Sequence, residues 1–190
     1  MHKILTALLL AVTTSALLAA EEIYKIDPVH SGVMFKIRHN FSKVPGGFKD
    51  FQGVIHYNPE AIDESRVEAT IKVNSVDTNN AKRDKHLLNE DFFNEPKFPE
   101  IHFKSTSWEQ TGDNTFIITG DLTIMDITKS VSLNAELIGK GQGEGHYANT
   151  TITGWTATAQ IDRRDFGIDY GAPLVGNTVD IELDVQAHLK

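Results

Sequence analysis

The amino-acid sequence predicts an all-β protein, an eight-stranded antiparallel barrel with one short helix and loop inserted between strands. Three observations carry this reading. Most of the chain alternates apolar and polar residues with a period of two, which gives each strand one apolar face. Several of the alternating segments run well beyond the usual strand length of about five or six residues. One stretch, 79–103, breaks the alternation and reads instead as a helix followed by an aromatic, proline-containing loop. Strands with one apolar face must bury it against another sheet or close on themselves. Long strands joined by short turns suit an up-and-down barrel better than an immunoglobulin-like sandwich. A barrel of about eight strands is just wide enough to be filled by side chains or to hold one small ligand.

In chain order, the first clear strand is Gly32–Asn40, with Val33, Phe35, Ile37 and His39 on one face. The glycine-rich VPGGF segment, Val44–Phe48, reads as a turn. Gly53–Asn58 resumes as strand, and Pro59–Ser65 as a short helical turn. Arg66–Asn74 points Val67, Ala69, Ile71 and Val73 one way. The insert follows, with a helix over Lys82–Asn89, the adjacent Phe92 and Phe93, then Pro96 and Pro99. An aromatic loop of this kind in a β-protein covers the mouth of a cavity. The remaining strands are Glu100–Thr106, Thr115–Ile124, Lys129–Ile138, Tyr147–Asp162 around Trp155, and Thr178–Leu189. No internal repeat or low-complexity linker marks a further boundary, so residues 21–190 form one domain.

The leader is separate. Lys3 precedes an apolar run from Ile4 that ends in Ala19 and Ala20, before Glu21 and Glu22. This is the pattern of a secretory signal peptide over residues 1–20, cleaved after Ala20. The run is short for a membrane anchor, so no membrane span remains after cleavage. The chain has no cysteine, which excludes a lipoprotein anchor, disulfides and thiolate metal sites, and fits a periplasmic location. A formal net charge of −8 argues against nucleic acid and against an anionic membrane surface as partners, and favours solubility.

Six residue groups, taken in order, carry a resemblance to a known family. They are YKIDPVHSGVMFKIRH (Tyr24–His39), GGFKDFQG (Gly46–Gly53), KRDKHLLNEDFF (Lys82–Phe93), KFPEIHF (Lys97–Phe103), GDLTIMDITKSV (Gly120–Val131) and RRDFGID (Arg163–Asp169). Together they resemble the YceI-like family of periplasmic polyisoprenoid-binding proteins. The resemblance implies a lipocalin-like barrel that holds a long isoprenoid chain, such as a polyprenyl or quinone tail, and a homodimer as a partner state. One departure is Asp126, which stands where the family has glycine, in a turn between two strands; aspartate tolerates left-handed backbone there.

Chemical candidates compare with plainer roles as follows. His30 and Ser31 suggest nucleophilic catalysis, but neighbouring strand residues point apart and no nucleophile elbow is present; the plainer role is to pin the first turn. The histidines lack HxH or HExxH spacing, and no metal, cofactor or catalytic residue is assigned. Arg83 and Arg164 are candidates for a polar mouth facing a lipid head group, against the alternative of ion pairs that fix loops to the rim. The candidate cavity wall is Phe35, Ile37, Phe48, Phe51, Ile71, Leu87, Phe92, Phe93, Phe103, Ile118, Trp155, Ala157, Phe166 and Ile168, with Phe92 and Phe93 as lid. A wholly filled barrel would show the same alternation. Two features favour a cavity: small residues (Thr151, Thr153, Ala157, Ala159) share a face with Trp155, and two phenylalanines stand side by side in the loop. The function expected is binding, sequestration or transport of an isoprenoid lipid. The alternatives are an enzyme or redox partner acting on a quinone head group, and a stress-response barrel without ligand.

Overall fold

The structure is a computed structural model and describes residues 21–190. The signal peptide assigned to 1–20 lies outside the described residues. The strands are β1 (Glu22–Ile26), β2 (Gly32–His39), β3 (Ser42–Phe48), β4 (Phe51–Tyr57), β5 (Arg66–Lys72), β6 (Val76–Asp77), β7 (Glu100–Gln110), β8 (Thr115–Ile124), β9 (Ile127–Gln142), β10 (Thr151–Asp162) and β11 (Val175–Leu189). One helix, α1 (Ala81–Leu87), lies between β6 and β7. The strands form one sheet in the order β1-β4-β5-β7-β8-β9-β10-β11-β2-β3-β6, and β1 pairs also with β11. That last pairing closes β1, β4, β5 and β7 through β11 into the expected eight-stranded antiparallel barrel.

Strand β11 serves two neighbours along one edge. Its final residues, Ala187–Leu189, pair with β1, and its earlier part, Val175–Asp184, pairs with β2. Strands β1 and β2 therefore follow one another up β11, while β3 and β4 follow one another down beside them. The lower end of the barrel closes as a complete ring. At the upper end β3 meets only the short β6, at Gly47 and Phe48. No ladder joins β6 to β7, and the segment between them fills the gap. Its Leu88, Phe92 and Phe93 pack in one cluster with Phe48 of β3 and Phe103 of β7. Helix α1 starts where Asn80 accepts a hydrogen bond from the Arg83 amide at 3.1 Å.

Several boundaries depart from the sequence reading. VPGGF is not a turn; it belongs to β3, and the chain reverses earlier, at Asn40 and Phe41, with Asn40 left-handed (φ 51°). The glycines serve packing instead. Gly46 lies opposite Phe35, and a Cβ there would stand 2.3 Å from the Phe35 ring. Strand β1 was not expected, and β10 starts at Thr151 rather than Tyr147, which ends a short 3₁₀ turn. The left-handed residue of the β8–β9 hairpin is Met125 (φ 57°), not Asp126.

Two apolar clusters fill the ends of the barrel. The lower one gathers Tyr57, Trp108, Phe116 and Trp155 in a set of tilted and edge-to-face rings. The upper one gathers Val73, Ile101, Leu122, Ile124, Phe166 and Ile168.

Candidate functional site

The barrel encloses an apolar cavity of about 610 Å³ between and beside these clusters. All eight strands of the ring supply aliphatic or aromatic side chains to it. The inward positions follow from strand parity: on β11, for example, Val179, Ile181, Leu183 and Val185 all line the space. A volume of this size lies within the range of small-molecule sites, roughly 300–1,000 Å³.

The structure places all fourteen candidate wall residues around this space. Phe35 and Ile37 reach it from β2, Phe48 from β3, Phe51 from β4 and Ile71 from β5. Phe103 and Ile118 contribute from β7 and β8, Trp155 and Ala157 from β10. Phe166 and Ile168 come from the turn after β10, and Leu87, Phe92 and Phe93 from the insert. Phe93 packs edge-on against Phe48, with ring centroids 5.9 Å apart. Phe92 forms a triangle with His86 (5.1 Å) and Tyr170 (5.4 Å). The insert is thereby tied to β3 on one side and to the 163–174 segment on the other.

The two candidate arginines fall differently. Arg83 lines the cavity and is exposed. Its Nε donates to Thr78 Oγ1 and its Nη2 to the Thr78 carbonyl, both at 2.7 Å. Those two bonds fix the fork. Arg164 does not line the cavity. It is paired with Asp162 outside the barrel, and that arginine holds the Asp162 carboxyl down to about 2. Its neighbour Arg163 lines the cavity instead. Arg163 is buried and donates to the carbonyls of Gly176 (2.8 Å), Tyr170 (2.7 Å), Asp169 and Val175 (both 3.4 Å). Burial pulls its pKa down, yet no carboxylate is bonded to it, so it acts as a bracket for the 169–176 backbone. Parity carried this signal in the sequence: Arg163 follows the inward-facing Ile161 by two positions.

All charged or imidazole-bearing residues in the wall (His39, Arg83, His86, Arg163) sit at the upper end, where β2 ends and β11 begins. The lower end is aromatic. There Trp108 Nε1 donates to Ser105 Oγ at 3.3 Å, whereas Trp155 Nε1 is buried with no hydrogen-bond partner. The Tyr57 and Trp108 rings stand edge-to-face to Trp155, at 5.3 and 5.9 Å. Burial raises the pKa of both Tyr24 and Tyr57, so the floor stays uncharged.

His30 and Ser31 lie away from the cavity wall and have separate partners. His30 Nδ1 is 2.7 Å from Asp27 Oδ2. Ser31 Oγ accepts from the Gln186 amide at 3.0 Å and faces its carbonyl at 3.3 Å. Burial pushes Asp27 up, but hydrogen bonds from His30 and the Val29 amide outweigh it and hold the carboxyl below its usual range. This arrangement pins the link between β1 and β2 against β11. Among the described residues no three His, Asp or Glu side chains gather as a metal-ligand set, and no helix is long and apolar enough to cross a membrane.

An antiparallel lipocalin-like barrel around an apolar pocket, with charged side chains only at its mouth, is the class of protein that fold and site define. Comparison with known proteins gives the particular family. Residues 24–187 match the YceI-like domain model, and the chain belongs to that family. A UPF0312 protein of Photorhabdus laumondii is 42% identical over 166 residues, covering 85% of this chain and 83% of its own. Protein YceI of Salmonella newport is 39% identical over 177 residues, covering 92% and 90%. Among solved structures, Campylobacter jejuni YceI superposes with a TM-score of 0.72 at 30% identity, covering 80% of this chain and 88% of that one. Two more distant structures share the fold. Burkholderia cenocepacia BcnA has a TM-score of 0.77 at 21% identity, covering 85% and 98%. A polyisoprenoid-binding domain from Saccharophagus degradans has 0.66 at 14%, covering 88% and 98%.

Proposed function

We propose that the protein binds a long-chain isoprenoid lipid, of polyprenyl or quinone type, in the barrel cavity, and sequesters or transports it in the periplasm. The observation that carries this reading is the apolar cavity of about 610 Å³, walled from every strand of the ring, with its charged and imidazole side chains gathered at the upper end. The name of the Saccharophagus structure, a polyisoprenoid-binding domain of the same fold, supports the ligand class. The driving force is desolvation. A chain of ~20 carbons at ~0.8 kcal/mol per methylene releases a gross ~16 kcal/mol on burial. Ordering the chain and losing its free motion consume much of this, and micromolar binding or better remains. In this reading the tail runs down among Phe35, Ile71, Ile118 and Trp155. The head stays at the upper end, beside Arg83, whose guanidinium suits a phosphate or carbonyl oxygen. Binding requires no covalent step, and His30 and Ser31 keep a structural role.

Tryptophan fluorescence tests this directly, because Trp155 lines the cavity and Trp108 stands beside it. Delipidated protein titrated with a polyprenol or an isoprenoid quinone should show a saturable change in emission and a rise in melting temperature, as mass action requires of a ligand that binds only the native state. No change in either with any isoprenoid would remove the proposal.

A further inference from the structure

We propose that the barrel is a length gauge for its ligand: it takes in a prenyl chain of about four to five isoprene units whole and leaves the remainder of any longer chain outside. On the carrier reading, which this inference assumes, the tail enters at the upper end and stops at the lower. Depth follows from the strands. The inward side chains of β2 line the space from His39 at the mouth to Val33, six positions away, and Val185 on β11 carries the wall two positions past Leu183, the partner of Val33. Those eight positions, at ~3.3 Å each and tilted ~40° as in small barrels, give a depth of ~20 Å. A carbon chain advances ~1.25 Å per bond, so an isoprene unit, with about four bonds along the chain, spans ~5 Å. About four extended units therefore fill the depth.

Volume gives nearly the same answer by a separate route. An apolar cavity of about 150 Å³ holds one benzene, which allots about 25 Å³ to each carbon. On that scale the cavity of about 610 Å³ holds about 24 carbons, close to five units. The lower end is closed. Tyr57, Trp108, Phe116 and Trp155 are all buried there, each ring against the others. Beyond them Lys140 on β9 donates to both carboxylate oxygens of Glu22 on β1, at 2.5 and 2.6 Å, and Glu22 also accepts from the Tyr24 hydroxyl at 2.8 Å. Strands β10 and β11 separate β9 from β1 around the ring, so this ion pair straps the base. Each carbon enclosed raises affinity ~fourfold before the cost of ordering the chain, and a carbon left in water at the mouth adds nothing. Affinity must therefore break with chain length where the cavity ends.

A homologous series of prenyl monophosphates tests the gauge: geranyl, farnesyl, geranylgeranyl, geranylfarnesyl and heptaprenyl phosphate. Each displaces a fluorescent farnesyl phosphate analogue from delipidated protein, at concentrations below micelle formation. Affinity should rise at least about tenfold per unit from geranyl to geranylgeranyl phosphate, then stay within about threefold from geranylfarnesyl to heptaprenyl phosphate. Ala157→Phe fills the space of about six carbons and should move the break down by about one unit. A rise that continues to heptaprenyl phosphate, or a break before farnesyl phosphate, would overturn the gauge and leave the carrier reading standing. So would an Ala157→Phe variant that weakens every member equally and leaves the break where it was. No binding of any member would remove the carrier reading and the gauge together.

Discussion

Gly46 seats one ring of the cavity wall. The Phe35 ring lies directly over it, so any side chain there must move the ring, and the ring faces the cavity. Gly46→Val should cost about 1–3 kcal/mol by overpacking and should weaken isoprenoid binding, as read by denaturant midpoint and fluorescence titration. Ala157 is the converse case. It pairs with Ala135 and Leu183 and lines open space. Ala157→Phe should fill that space: affinity should fall at least about tenfold while the empty protein keeps or raises its melting temperature. A melting temperature lower by several degrees would mean that the site is already close-packed. The two adjacent arginines separate support from binding. Arg163→Met strips the bracket from the carbonyls of Asp169, Tyr170, Val175 and Gly176 and should destabilise by roughly 2–4 kcal/mol. Arg164→Ala, changing only an exposed pair, should leave isoprenoid affinity where it was.

At the scale of elements, the insert between β6 and β7 replaces a missing length of barrel wall. It is held by aromatic contacts rather than by a backbone ladder, so it can open at less cost than the strands around it. Phe92→Ser with Phe93→Ser should speed release of a fluorescent isoprenoid in stopped-flow chase, with little change in far-ultraviolet circular dichroism. Unchanged release would place the exit elsewhere. The insert was legible in the sequence because it was the one long stretch that broke the period of two. The long strands were legible for the opposite reason; β8, Thr115–Ile124, appears as read. Strand β3 was not, because glycines that seat a cross-strand ring look the same in sequence as glycines that turn a chain. Strand β1 was missed because five residues offer too short a pattern. Of the two arginines read as a polar mouth, Arg83, at the start of the insert's helix, lines the cavity, whereas the choice of Arg164 over Arg163 ignored the parity carried over from Ile161.

For the whole molecule the decisive property is interior volume, and alternation alone could not supply it. A filled barrel and a hollow one need the same inward apolar residues; the difference lies in how the strand edges are shared. Here β11 divides one edge between β1 and β2, the upper wall opens between β6 and β7, and the ring encloses about 610 Å³ of open space. An apolar cavity of that size without a guest forfeits contact energy along its whole lining. The most direct measurement is mass spectrometry, on intact protein isolated from cells without detergent and on its solvent extract. The account predicts an added mass on the native protein and an isoprenoid in the extract, both much reduced in Ala157→Phe. A native mass equal to that of the polypeptide alone, with an extract empty of isoprenoid and no uptake of added polyprenol or quinone, would contradict it.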